Sequence, residues 1–194
     1  MPREVIKVMV SSAVYGFEGA LTTLCATIES YKSREYEYKV LNSHIGSIYV
    51  PPNVPPNEAC LRAVDECDFF FGIILPRYGS GITHQEFTRA IAQNKPRGFL
   101  SHHSVRFARE LLAQYMYLDI RNRVRNPDFN FARTPVFEDS RIIDMYNEAI
   151  QDGLPMEQRR WAHEFGHNSG DEARFVETEF RNINRLKADL DALV

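Results

Sequence analysis

The residue whose placement most suggests chemistry is Glu86, in the run Thr83-His84-Gln85-Glu86. It falls one turn into a helical pattern, in line with Ile82 and Ala90 and beside an apolar stripe. A carboxylate there is partly desolvated, which raises its pKa and suits it to act as nucleophile or general base. The same four residues also match a capping box, in which the glutamate returns a hydrogen bond to the start of its own helix. An acid in a first turn is favoured by the helix dipole as well. Around Glu86 the sequence offers polar, small and aromatic groups that each follow a β-like run: Ser11, Ser12 and Tyr15; His44; Arg77, Tyr78, Gly79 and Ser80; His102 and His103. That set suits a nucleotide or a sugar.

A rival signal lies near the C-terminus. His163-Glu164-Phe165-Gly166-His167 reads literally as HExxH. On a helix its two histidines share a face and bind zinc, with Glu164 as general base. Gly170 follows at a metzincin-like spacing, but the third ligand of that pattern falls on Ala173. Gly166, Asn168, Ser169 and Gly170 also make a poor helix interior. If Trp161 to Phe165 is a strand instead, His163 and Glu164 point to opposite faces and the zinc site cannot form. The basic cluster Arg121, Arg123 and Arg125 reads as a solvated face or an anion contact.

The elements that must position these residues alternate. Val5–Val10 is a compact apolar, β-branched run that ends at Ser11-Ser12, and Phe17–Tyr31 carries Leu21, Leu24, Cys25 and Ile28 at helical spacing. A short strand over Tyr38–Leu41 follows, then a stiff, proline-rich loop over His44–Pro56, of the length that is often functional. Asn57–Cys67 predicts a second helix, with Asn57 as N-cap and Cys60, Val64 and Cys67 on one buried face. Asp68–Leu75 is a continuous apolar run, the mark of a strand buried on both faces. A helix over Ile82–Asn94 and a strand at Gly98-Phe99-Leu100 complete the alternation, which is that of a doubly wound, mainly parallel sheet. Past residue 103 the pattern predicts a helix through Val105, Ala108, Leu112 and Tyr115. A polar loop over Arg121–Asn130, a helix over Ser140–Ile150, a fifth strand over Trp161–Phe165 and one helix from Asp171 to the end then follow. The expectation is one domain over 1–194, with a core at 4–103, a helical insertion at about 104–158 and a final strand and helix at about 160–194. In such sheets ligands bind outside the carboxyl ends of the strands, where strand order reverses.

Bulk properties narrow the class. The chain has 194 residues, 44% hydrophobic and 25% charged, with a net charge of −3. That is ordinary globular composition, and the slight acidity argues against nucleic-acid binding. Three cysteines with no CxxC pair make a disulfide framework improbable and suit a reducing cytosol. The apolar run after Met-Pro-Arg-Glu is too short for a signal peptide or a membrane span, so the expected location is cytoplasmic.

Several segments together resemble one known pattern: Lys7-Val8-Met9-Val10-Ser11-Ser12, Cys67 through Ile74, Arg77-Tyr78-Gly79-Ser80, Ile82 through Phe87, and Lys95-Pro96. The resemblance is to a domain family of unknown function found alone in bacteria and at the N-termini of STAND-type NTPases. That family is itself similar to TIR domains and nucleoside 2-deoxyribosyltransferases. The match is good over the first half and looser over Trp161–Phe180. It implies a flavodoxin-like, TIR-like sheet. It also implies that Glu86 stands where the enzymatic relatives carry a glutamate that supports cleavage of an N-glycosidic bond.

The leading expectation is therefore binding of a nucleotide or nucleoside, extending to N-glycosidic cleavage of NAD or a nucleoside. Glu86 would act at the anomeric carbon, and Ser11, Ser12, Tyr15, Arg77, Tyr78, Gly79 and Ser80 would line the pocket. No cofactor is implied, NAD being a substrate. One alternative is a non-catalytic signalling or assembly module of bacterial defence type, which would form a homo-oligomer. The other is a zinc hydrolase through His163, Glu164 and His167.

Overall fold

The computed structural model describes residues 2–166 and 170–193. Its centre is a five-stranded, wholly parallel sheet in the order β2-β1-β3-β4-β7. The strands are β1 (Glu4–Ser12), β2 (Tyr36–Leu41), β3 (Phe69–Ile74), β4 (Arg97–His102) and β7 (Ala162–Phe165). The helices are α1 (Glu18–Ser30), α2 (Pro56–Glu66), α3 (Ile82–Ala92), α4 (His103–Met116), α5 (Arg141–Ala149), α6 (Asp171–Phe180) and α7 (Ile183–Asp191). This is the doubly wound, flavodoxin-like order, and strand order reverses between β1 and β3.

The side chains of β3 explain the layering. Phe69, Phe71 and Ile73 enter one apolar cluster with α1, α6 and α7. Phe70 and Ile74 enter the other, with α2, α3, α4 and α5. Successive strand residues face opposite sides, so a strand covered on both faces must be apolar throughout, and β3 is fully buried. Gly72 breaks the run because Phe87 of α3 lies over it. A Cβ at Gly72 would sit 2.3 Å from the tip of the Phe87 ring. The close approach draws α3, and with it Glu86, onto the end of the sheet.

Several expectations change in detail. Ser11 and Ser12 are the last residues of β1 rather than a loop after it. Asn57 is not an N-cap, since α2 starts one residue earlier with Pro56 in its first turn, where a missing N–H costs nothing. The segment expected as a polar loop contains β6 (Val124–Arg125), which pairs with β5 (Tyr117–Asp119), just before that segment, in a small antiparallel hairpin. The final helix is two helices. The side chain of Asn182 accepts from the Arg185 backbone N–H at 3.1 Å and caps α7, so asparagine interrupts the run with a local hydrogen bond of its own. No helix of the described residues is long and apolar enough to cross a membrane.

Candidate functional site

At the β1/β3 reversal lies a cavity of about 500 Å3. Ser11, Ser12, Tyr15, Arg77, Tyr78, Gly79, Ser80 and Glu86 all line it. The sheet brings Ser11 beside Gly72 and Ser12 beside Ile73 in register, so the hydroxyls of β1 reach the carboxyl edge where β3 hands over to its loop.

Glu86 forms the floor. It is 4% exposed, and the capping-box reading fails for a geometric reason. The cap of α3 is Gly81, in the left-handed conformation with φ 81° and no side-chain cap. The helix therefore begins too early for Glu86 to reach back to Thr83. Its carboxylate turns inward, accepting from Ser11 Oγ and from the Cys60 thiol. Burial pushes its pKa from 4.5 up to about 7, against the downward pull of those two hydrogen bonds. No cation pairs with it in any ion pair among the described residues. A buried carboxyl with neutral donors and no counter-charge is held near half-ionisation at neutral pH, the state a group needs to exchange a proton or act as a nucleophile.

The walls are fixed by residues the sequence did not advertise. Asn42, after β2, donates from Nδ2 to the Val10 carbonyl at 2.7 Å and accepts from the backbone of His44 at 2.9 Å and Ile45 at 3.2 Å. It ties the loop after β2 to β1. Glu138 accepts from the backbone N–H groups of Tyr78 at 2.7 Å and Gly79 at 3.1 Å, and these N–H groups, with nearby arginines, hold its carboxyl below its usual range. Arg77 donates to the Pro135 carbonyl at 3.1 Å, and Arg141 covers the Tyr78 ring at 4.2 Å. Residues 133–141 thus form the rim. Cys60, read from sequence as plain core, presents its thiol to Glu86, and burial with that neighbour pushes it up to about 11. A helical Cys four residues past a proline start carried the only sequence hint. For Asn42 the hint was an Asn directly after a strand, a common turn former.

Ser12 lines the cavity with its hydroxyl already engaged, and other candidates lie outside it. Ser12 Oγ donates to the Ala13 carbonyl at 2.8 Å and is committed to its own turn. His44 is exposed, 3.4 Å from Thr22 Oγ1. His102 and His103 line a neighbouring hollow of about 560 Å3 that shares Tyr15 and Arg77 with the first. His102 ends β4 and caps α4 by accepting from the Ser104 N–H. The arginine cluster is divided between acids, Arg123 with Asp152 at 3.1 Å and Arg125 with Asp144. His163 and Glu164 lie on β7, not on a helix. The His163 ring packs on Phe175 at 5.1 Å while Glu164 accepts from Arg106 on the other side of the sheet. His167 lies outside the described residues. Among the described residues no group of three His, Cys, Asp or Glu side chains could hold a metal.

Comparison with known proteins adds a family. No curated protein matches the chain. Among solved structures, a 2-desoxiribosyltransferase from Leishmania mexicana is similar at 15% identity and a TM-score of 0.38, covering 74% of this chain and 97% of that one. Residues 7–160 match the family described as a domain of unknown function, DUF4062. Since that match spans well over half of the sequence, this chain belongs to the DUF4062 family.

Proposed function

We propose that the cavity binds a nucleotide or nucleoside and that Glu86 cleaves its N-glycosidic bond. The observation that carries this is a buried carboxyl, titrating near neutrality, at the floor of a cavity at the strand-order reversal. The resemblance of the chain's motifs, Ser11-Ser12 and Ile82–Phe87 among them, to a family itself similar to N-glycosidic enzymes supports it, since it implies that Glu86 stands where those enzymes carry a glutamate. In the reaction an ionised Glu86 oxygen approaches the anomeric carbon. As the C–N bond breaks, that oxygen bonds to the carbon and the electron pair leaves with the base. A nucleoside base takes up a proton from solvent, whereas the nicotinamide of NAD leaves neutral and needs none. Water then attacks the same carbon, gives up a proton to solvent and breaks the ester bond, releasing the sugar and restoring the carboxylate. Ser11 Oγ–H holds one carboxylate oxygen and so aims the other. Tyr15 and Tyr78 offer ring faces for a heterocycle, and Arg77 offers positive charge at the mouth for a phosphate.

The test is incubation of the purified chain with NAD and with nucleosides, reading released base by chromatography, beside Glu86→Ala. Release by the native chain and none by the variant is expected. Equal release by both, or none by either, contradicts the reading. A second reading, a signalling or assembly module, draws on a different observation, the apolar outer face of α4.

A further inference from the structure

The outer face of α4 is unusual for a helix packed on a sheet. Its inner side, through Val105, Ala108 and Met116, is buried in the core. Its outer side carries Phe107 at 65% exposure, Leu111 at 54% and Tyr115 at 55%. These lie four residues apart and form one stripe. Leu118, 70% exposed, and Ile120 follow it directly at the start of the β5–β6 hairpin. None of the five is charged, and the nearest charges on the helix, Arg106 and Glu110, satisfy each other at 3.0 Å.

From this we infer that the α4 face is an interface between two copies of this chain, related by a two-fold axis passing near Leu111. Two features favour a second copy over any other occupant. The first is self-complementarity. An isologous interface places the same patch on both sides. The stripe is symmetric about its centre, with an aromatic ring four residues either side of a leucine. When two α4 helices cross antiparallel at Leu111, Phe107 of one copy meets Tyr115 of the other, and leucine meets leucine. The second is area. Five large side chains at this exposure leave on the order of 600 Å2 of apolar surface, at the upper end of what monomers carry. Paired with itself and given a polar rim, such a patch approaches the roughly 800 Å2 per partner of a standard interface. The inference stands apart from the reaction proposed for the cavity, since no α4 stripe residue lines it.

The experiment is sedimentation velocity on the whole chain from micromolar to near-millimolar concentration, with Leu111→Glu alongside. A concentration-dependent dimer is expected, and Leu111→Glu should weaken it by about 30-fold or more, the loss typical of a central interface residue. Leu111 is exposed, so circular dichroism should confirm an intact fold. A second variant removes any ambiguity. Leu111→Cys should cross-link to its own copy through a short bismaleimide, whereas Glu35→Cys, exposed on the loop before β2, should not. The native Cys25, Cys60 and Cys67 are buried and do not compete. A monomer at every concentration, a dimer indifferent to Leu111→Glu, a Leu111→Cys chain that fails to cross-link, or a stripe that binds a different protein while the chain stays monomeric would each overturn the inference.

Discussion

Glu86 and Glu164 are both glutamates in strings that read as catalytic, yet the fold treats them oppositely. Glu86 enters from the start of α3, is drawn in by the Gly72–Phe87 contact, and lies under β1 with a serine and a thiol as its hydrogen-bond partners among the described residues. Glu164 sits on the edge strand β7 and meets the guanidinium of Arg106, with its side chain 38% exposed. Water and a cation satisfy the second carboxylate. Among the described residues no cation pairs with the first, and burial leaves it little contact with water. A string of residue types therefore says less about chemistry than the strand end on which the string lands, because burial without a counter-charge is what moves a carboxyl toward neutral pH.

The largest expected break in this comparison is catalytic. Glu86→Gln keeps the shape and loses the charge, and should lower base release by about a hundred- to ten-thousand-fold, while Glu164→Gln leaves it unchanged. Side-by-side turnover assays of the two variants check this.

The next effect is on stability and depends on pH. In the unfolded chain Glu86 ionises near 4.5, and in the folded chain only near 7. The stability that goes with the neutral, buried carboxyl is thus fully present below pH 4.5, falls between 4.5 and 7, and is lost above 7. Glu86→Gln should stabilise the fold by about 3 kcal/mol at pH 8 and by almost nothing at pH 4. Urea unfolding at the two pH values measures the difference.

Ser11→Ala comes third. It removes a hydrogen bond to the ionised carboxylate, costing about 1–3 kcal/mol above neutral pH. It also raises the Glu86 pKa further, so the acid limb of the pH–rate profile should move to higher pH. The smallest effect belongs to Glu164. Its pair with Arg106 is open to solvent, and Glu164→Gln should change stability by less than about 1 kcal/mol in a thermal melt.

Much of the sheet was legible because it obeys simple periodicities. The run Phe69–Ile74 can only be a strand buried on both faces, and the alternation of strands and helices around it orders the parallel sheet. The pocket was legible at one remove. Strand ends are predictable, ligands gather there, and Ser11, Ser12, Tyr15, Arg77, Tyr78, Gly79, Ser80 and Glu86 line one cavity, while His44, His102 and His103, named from the same rule, lie outside it. What stayed hidden depended on tertiary contact. Glu138 acts 60 residues away from Tyr78 in the chain, and no local pattern announces such a partner. The capping box around Glu86 was a local pattern overridden by two residues of helix register, set by Gly81 with its positive φ. The break between α6 and α7 turned on one asparagine capping a helix that periodicity alone would continue.

The central claim is that the strand-order reversal holds a carboxyl that titrates near neutrality. Carbon-13 NMR of the side-chain carboxyls, with Glu86→Gln to assign the signal, measures it directly. The account predicts a Glu86 midpoint near 7. A midpoint near 4.5, the ordinary value for a glutamate, would contradict it.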